Sequence, residues 1–173
     1  MTPNVISIDP SMHSTGVAYF ENEKLKKTFR IKVSKDFTKE KAVYEMVSMF
    51  HETVFGSMPR DHGSKTIWVV EEQVYRGQQE KMSIENFKYL AALTYILGYE
   101  NYPRSVLVQP SVWKGSVPKD IHNKRVYENE LELGSPLIHY ATMENDILDA
   151  IGIGRWYYGH IKKTTSPKTR NQD

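Results

Sequence analysis

Apolar and polar residues alternate along this chain with two periods, the two-residue period of β-strands and the 3.6-residue period of helices. Strand-like alternation or short β-branched runs occupy residues 5–9, 16–21, 24–33, 66–72 and 105–110. Helical spacing occupies residues 39–55, 83–97, 120–133 and 143–158. Three strands in a meander, followed by helices that alternate with two further strands, predict an α/β fold in which helices flank a five-stranded mixed sheet.

Length and composition indicate one soluble domain without a membrane partner. A chain of 173 residues, 39% of them hydrophobic, can bury one core. We place this domain at residues 1–160, followed by a basic, flexible tail at 161–173. No apolar run reaches membrane-spanning length and the start does not resemble a secretory signal, so we expect a cytoplasmic location. The lack of cysteine excludes disulfides, thiol nucleophiles and cysteine-based zinc sites.

The distribution of charge along the chain is more informative about function than the net charge. The formal net charge is only +2, but basic residues concentrate at 114–125 and 162–170. Acidic residues instead stand singly at the ends of apolar runs. This asymmetry is a weak indication of a polyanionic partner.

Acidic residues occupy the ends of three predicted elements. Asp9 ends the first strand, Glu71 and Glu72 end the fourth, and Asp146 and Asp149 share one face of the last helix because they are three residues apart. Carboxylates gathered in a partly buried place need a positive charge. Oxygen ligands without cysteine or paired histidine favour Mg²⁺ or Mn²⁺ over zinc. Two such ions can hydrolyse a phosphodiester.

Each acid also has an ordinary structural explanation. Asp9 can open an Asx-type turn before Pro10. Glu71 and Glu72 can be solvated, and Asp146 can favour the positive end of a helix dipole. Taken singly these explanations are the better ones; taken together, the order of the acids along the elements favours a metal site.

Three quoted stretches carry a family resemblance. "SIDPSMHSTGVAYF", "VEEQVYRG" and "DILDAIGIGRW" resemble the acidic motifs of the RuvC-type Holliday-junction resolvases, which have the ribonuclease H-like fold. Residue by residue, the resemblance implies Asp9, Glu72, Asp146 and Asp149 as catalytic residues and ligands of two Mg²⁺ ions, for which Mn²⁺ would substitute. Glu71 falls one place early and should face away from Glu72. Ser11 departs from the usual glycine after Asp-Pro.

The resemblance also implies residues that handle DNA. An aromatic residue that wedges into the junction centre corresponds to Tyr75, where the alternative is a core tyrosine. In the basic segment, Lys114 and Lys124 are the best counterparts of the family's lysines, and for Lys119 a solvated face is nearly as good an explanation. A lone histidine in a loop, such as His13, is more often incidental than close to the metals. His122 and His139 receive no role. The residues expected to contact phosphates are Arg76, Lys114, Lys119, Lys124 and Arg125.

The helix at 83–97 is apolar over most of its circumference, which leaves a surface beyond the stripe that one sheet face can hide. One explanation is a helix packed between the sheet and another helix of the same chain. The resemblance implies instead a two-fold homodimer built around this helix. The expected interface residues are Ile84, Phe87, Leu90, Ala91 and Leu93.

The resulting functional hypothesis is a Mg²⁺-dependent endonuclease that makes paired nicks in opposed strands of four-way DNA junctions, in a bacterial cell or a phage-infected host. One alternative is a ribonuclease H-like nuclease acting on other branched DNA or on RNA–DNA hybrids. Another is a non-catalytic DNA-binding module. An actin-like ATPase would need a second phosphate loop and a longer chain, so no nucleotide cofactor is expected.

Overall fold

Five strands form one mixed sheet in the computed structural model, which describes residues 2–57, 66–74, 83–99, 104–135 and 144–165. The strands are β1 (Asn4–Asp9), β2 (Ser14–Glu21), β3 (Lys24–Lys32), β4 (Thr66–Glu71) and β5 (Ser105–Val108). Their order is β3-β2-β1-β4-β5. The first three pair antiparallel, and β4 and β5 run parallel to β1. The five-stranded mixed sheet predicted from the sequence is confirmed.

Helices cover both faces of this sheet. They are α1 (Lys39–Phe50), which continues as a π-helical turn (His51–Phe55), α2 (Ile84–Tyr99), α3 (Pro110–Trp113), α4 (Lys119–Glu132) and α5 (Asn145–Thr165). The short α3 was not predicted, because Pro110 serves as the first residue of a helix rather than only as the end of a strand. No helix in the described ranges is long and apolar enough to cross a membrane.

The last helix is longer than the sequence pattern predicted. α5 runs to Thr165, so residues 161–165 of the predicted tail are helical. Ile161 packs against the core on the α5 side of the sheet, which explains why the helix continues past the predicted end at 158. Residues 166–173 lie outside the described part of the chain.

Two apolar cores lie on opposite faces of the sheet, since successive strand residues point to opposite sides. In β1, Ile6 and Ile8 enter the core shared with α1 and α2, whereas Val5 enters the core shared with α4 and α5. Ser7 points to the same side of the sheet as Val5, because its hydroxyl donates a hydrogen bond of 2.6 Å to the carbonyl of Ala150 in α5. The same alternation directs Asp9 to the α5 side.

Two residues of the predicted dimer interface belong to the core of the chain. Leu90 and Leu93 are buried between the sheet, α1 and α2. Phe87 and Ala91 are half-buried, and only Ile84 of the predicted set is exposed. The helix is apolar around most of its circumference chiefly because it packs on both the sheet and α1. One row of its solvent-facing residues forms what we call the outer stripe of α2: Ile84, Lys88, Ala92, Tyr95 and Tyr99.

Candidate active site

The hairpin between β1 and β2 places Asp9 at the edge of the sheet. Buried Thr15 closes the loop, because its hydroxyl donates to the carbonyl of Ser11 at 2.9 Å and accepts from the Ser11 amide at 3.1 Å. Among the described non-glycine residues, positive φ occurs only at Asn22 and Glu23. Ser11 therefore keeps an ordinary backbone conformation, and the turn closes without a glycine at this position.

Gly16 brings the start of α5 against this hairpin. It pairs with Asp9 across the antiparallel ladder. A Cβ atom at Gly16 would lie 1.9 Å from the carbonyl oxygen of Asp146, so only glycine admits the helix at this distance. The hydroxyl of Ser14 then donates a 2.5 Å hydrogen bond to Asp146 Oδ2. The Thr-Gly pair of the hairpin thus positions two acids, one in β1 and one in α5.

Asp149 lies one turn further along α5 and is 2% exposed. Its Oδ2 atom is 2.6 Å from Lys119 Nζ at the start of α4. Its Oδ1 atom is buried and has no hydrogen-bond partner among the described residues. A buried, unpaired carboxylate oxygen is costly, and it marks a place where a further cation would be favourable.

In the structure, the last residue of β4, Glu71, lies beside Asp9. The parallel register pairs Ile8 with Val70, which makes Glu71 the neighbour of Asp9 on the α5 side. Glu71 is buried, and its Oε2 accepts a hydrogen bond of 2.8 Å from Trp113 Nε1. Glu72 is half-buried and lies just past the end of β4. The charge of Glu71 acts on Asp9, and the motif-based assignment of Glu72 stays a prediction.

The pKa shifts of the buried acids indicate that negative charge is in excess at this place. Burial raises the pKa of the Asp9 carboxyl well above its usual range, and the charges of Glu71, Asp149 and Asp146 raise it further. Burial likewise raises the pKa of Glu71. Burial lowers the pKa of Lys119, but its hydrogen bond to Asp149 and the nearby carboxylates outweigh this effect and raise the pKa. The cluster favours any added positive charge.

Arg30 is a site residue that the sequence analysis missed. It pairs with Gly16 across the β2–β3 ladder, so it lies in the same row of the sheet as Asp9. Its Nε atom is 3.2 Å from Asp146 Oδ2 and donates to the Ser14 hydroxyl at 2.7 Å. It also forms an ion pair with Glu144. Only the register of the sheet reveals this neighbourhood, since Arg30 belongs to no acidic motif.

The predicted basic residues divide into two groups. Lys119 contacts Asp149 directly, although the sequence ranked it behind Lys114 and Lys124. Lys114 lies over the ring of Trp113, 5.0 Å from its centroid, and its charge lowers the pKa of Glu71 against the effect of burial. Lys124 is exposed on α4 and pairs with Glu128 at 3.8 Å. Arg125 is exposed beside it. Tyr75, Arg76 and His139 lie outside the described residues.

The chemistry of the donors fits a hard divalent cation. Carboxylate oxygens are the preferred ligands of Mg²⁺ and Mn²⁺, and Asp149 Oδ1 is a buried oxygen without a hydrogen-bond partner in the described ranges. Within those same ranges, no three histidine, aspartate or glutamate side chains already converge as a metal cage. Lys119 and Arg30 lie against Asp149 and Asp146, where they provide the protein's own compensating charge.

The strand order and the helices on both faces are those of the ribonuclease H-like fold, which confirms the predicted fold. Two solved structures share it. RuvC of Thermus thermophilus in complex with a Holliday junction substrate aligns with a TM-score of 0.64 at 17% sequence identity. A second structure of T. thermophilus RuvC aligns with a TM-score of 0.63 at 15% identity. Each alignment covers 94% of this chain and 97% of the other. No protein-family model and no curated protein match the sequence.

Proposed function

We propose that this protein is a Mg²⁺-dependent endonuclease that resolves four-way DNA junctions by nicking two opposed strands. Two observations carry the proposal. Asp9, Glu71 and Asp149, from three separate elements, lie near enough for their charges to interact, and Asp149 Oδ1 is buried without a hydrogen-bond partner among the described residues. The likeness in fold to a RuvC that was solved with a Holliday junction supports the choice of substrate.

Asp9, Glu71, Asp146 and Asp149 would hold the metal. Two Mg²⁺ ions held by these residues would supply activation of a water nucleophile and stabilisation of the leaving oxygen in phosphodiester hydrolysis. The carboxylates outnumber the two cations that contact them, Lys119 and Arg30. This imbalance supports a site that takes up further positive charge, with Mn²⁺ able to replace Mg²⁺.

Basic residues beside the cluster would bind the DNA backbone. Lys119 touches Asp149, and Lys114 acts electrostatically on Glu71, so both flank the acids. The exposed Lys124 and Arg125 extend the positive surface along α4. Phosphate contacts of this kind position a nucleic acid without reading its sequence. Tyr75 as the junction wedge and Arg76 as a phosphate contact belong to the same proposal and rest on the sequence resemblance.

A two-fold dimer completes the proposal. Four-way junctions have two-fold symmetry, so a pair of active sites related by a two-fold axis can reach both strands to be cut. The outer stripe of α2 offers an apolar surface for this contact, because Ile84 is 58% exposed, Tyr95 54% and Tyr99 79%. Exposed aromatic residues grouped on one helix face favour an interaction surface.

The proposal is tested by incubating purified protein and Mg²⁺ with end-labelled four-way, three-way and linear DNA and with an RNA–DNA hybrid. We expect symmetrically paired nicks in the four-way junction and little cutting of linear duplex. Asp146→Asn should bind the junction without cutting it, since it keeps the shape of the site and removes a ligand charge. Preferred cutting of the hybrid would support the ribonuclease H-like alternative, and binding without cutting by the unaltered protein would support a non-catalytic module.

A further inference from the structure

Trp113 makes a contact that the proposed mechanism does not use. It ends the four-residue helix α3, directly after β5, and is 7% exposed. Its Nε1 donates the 2.8 Å hydrogen bond to Glu71 Oε2, and both residues are buried. An indole nitrogen can only donate, and a buried donor is costly without an acceptor. The bond therefore restrains the ring and the carboxylate together.

The surroundings of Trp113 hold the ring in one orientation. His122 of α4 packs edge-on against it with 4.8 Å between ring centroids. On the side of α5, a Cβ atom at Gly152 would lie 2.9 Å from the indole ring and 2.7 Å from His122 Nε2. α5 thus packs against Trp113 and His122 at a residue that has no side chain, Gly152. Because the ring is packed by α4 and α5, the direction of its N–H group is set by the fold.

The two oxygens of Glu71 are held unequally. Oε2 accepts the short bond from Trp113, whereas Oε1 accepts a long contact of 3.5 Å from Gln73 Nε2. The indole donor lies on the α5 side of the sheet, the side that Glu71 shares with Asp9. Outer hydrogen bonds of this kind orient the carboxylates of metal sites.

We propose that Trp113 is the positioning residue of the metal centre, since its indole N–H holds the Glu71 carboxylate in the orientation in which it binds the cation. This inference rests on the proposed function for the presence of a metal. It adds a residue from α3, an element that carries none of the acids, and assigns it a role through Glu71 rather than through contact with DNA.

The test measures Mn²⁺ binding to the free protein, by water proton relaxation or calorimetry, in the absence of DNA. Trp113→Phe keeps an aromatic ring and removes the N–H, so Mn²⁺ binding should weaken by roughly 10–100-fold, as is typical when such outer contacts are lost. The matched control is Trp68→Phe, because Trp68 is equally buried but lies in the core shared with α1 and α2. This control should bind Mn²⁺ as the unaltered protein does.

A second replacement distinguishes the loss of the N–H group from a folding defect in Trp113→Phe. Benzothienylalanine at position 113 preserves the bicyclic shape and lacks only the donor, and it should weaken Mn²⁺ binding to a similar extent. Unchanged affinity in these variants, or an equal loss in Trp68→Phe, would overturn the inference alone. Failure of the unaltered protein to bind Mn²⁺ would overturn it together with the metal requirement of the proposed function. Failure to cut junctions despite Mn²⁺ binding would refute the function and leave the role of Trp113 standing.

Discussion

Replacing Gly16 by alanine should push the start of α5 away from the sheet and with it the carboxylate of Asp146. A Cβ atom at position 16 would lie 1.9 Å from the carbonyl oxygen and 2.4 Å from the carbonyl carbon of Asp146, where an ordinary contact is 3.4 Å or more. The clash is with backbone, so no side chain can rotate away. Relief requires a displacement of about 1.5 Å between β2 and α5, judged from the limit for packed interiors.

The cost can be estimated from this displacement. Overpacking of a core typically costs about 1–3 kcal/mol. Removing a glycine from a strand recovers roughly 0.5–1 kcal/mol of backbone entropy, so we expect a net loss of up to about 2.5 kcal/mol and a fall in Tm of up to roughly 10 °C for a chain of this size. The 2.5 Å hydrogen bond from Ser14 to Asp146 cannot persist over such a shift. Misplacement of reacting groups by about 1 Å can cost ~100-fold in rate.

Thermal unfolding and single-turnover junction cleavage would measure these two effects. Gly56→Ala is the control, because a Cβ atom there meets nothing within 4 Å and the backbone is right-handed helical, with φ of −66°. It should keep full activity and gain roughly 0.4–1 kcal/mol of stability. A Gly16→Ala protein with unaltered Tm and cleavage rate would refute the close approach of α5 to β2.

Three further predictions concern the acids and the outer stripe of α2. Glu71→Gln should weaken Mn²⁺ binding by roughly 10–100-fold while Glu72→Gln leaves it unchanged; the reverse order in a titration would restore the motif-based choice. Burial raises the pKa of Asp9 in the folded state, so this group's contribution to metal-free stability falls as pH rises from the unfolded pKa of about 4 through the raised folded pKa. In EDTA, Asp9→Asn should therefore have a larger free energy of unfolding in urea than the unaltered protein at pH 8, and the difference should be smaller at pH 5. A difference that does not change with pH would contradict this. Tyr95→Glu should yield monomers in sedimentation velocity, whereas Leu133→Glu, an equally exposed change at the end of α4, should not; a Tyr95→Glu dimer would exclude the outer stripe as the interface.

The sequence by itself determined the strands, the long helices and three of the four acids that lie near one another in the structure. Burial on one or both faces imposes a local period, so apolar spacing is sufficient to place elements. Asp9 could be recognised because it ends a strand, and Asp146 and Asp149 because three-residue spacing puts both on one face of a helix. Each of these signals lies within a few neighbouring residues, which is why no knowledge of the packing was needed.

Only the tertiary structure decided the features that depend on which elements meet. Glu71 lies beside Asp9 because of the parallel register of β4 on β1, and a shift of one residue would put Glu72 there instead. Trp113 and Arg30 reach the acids from elements distant in sequence, so no local pattern marks them. An apolar residue such as Leu93 fits either a core or an interface, so hydrophobicity alone could not place it. Its burial between α2, α1 and the sheet puts it in the core, which only the packing of these elements reveals.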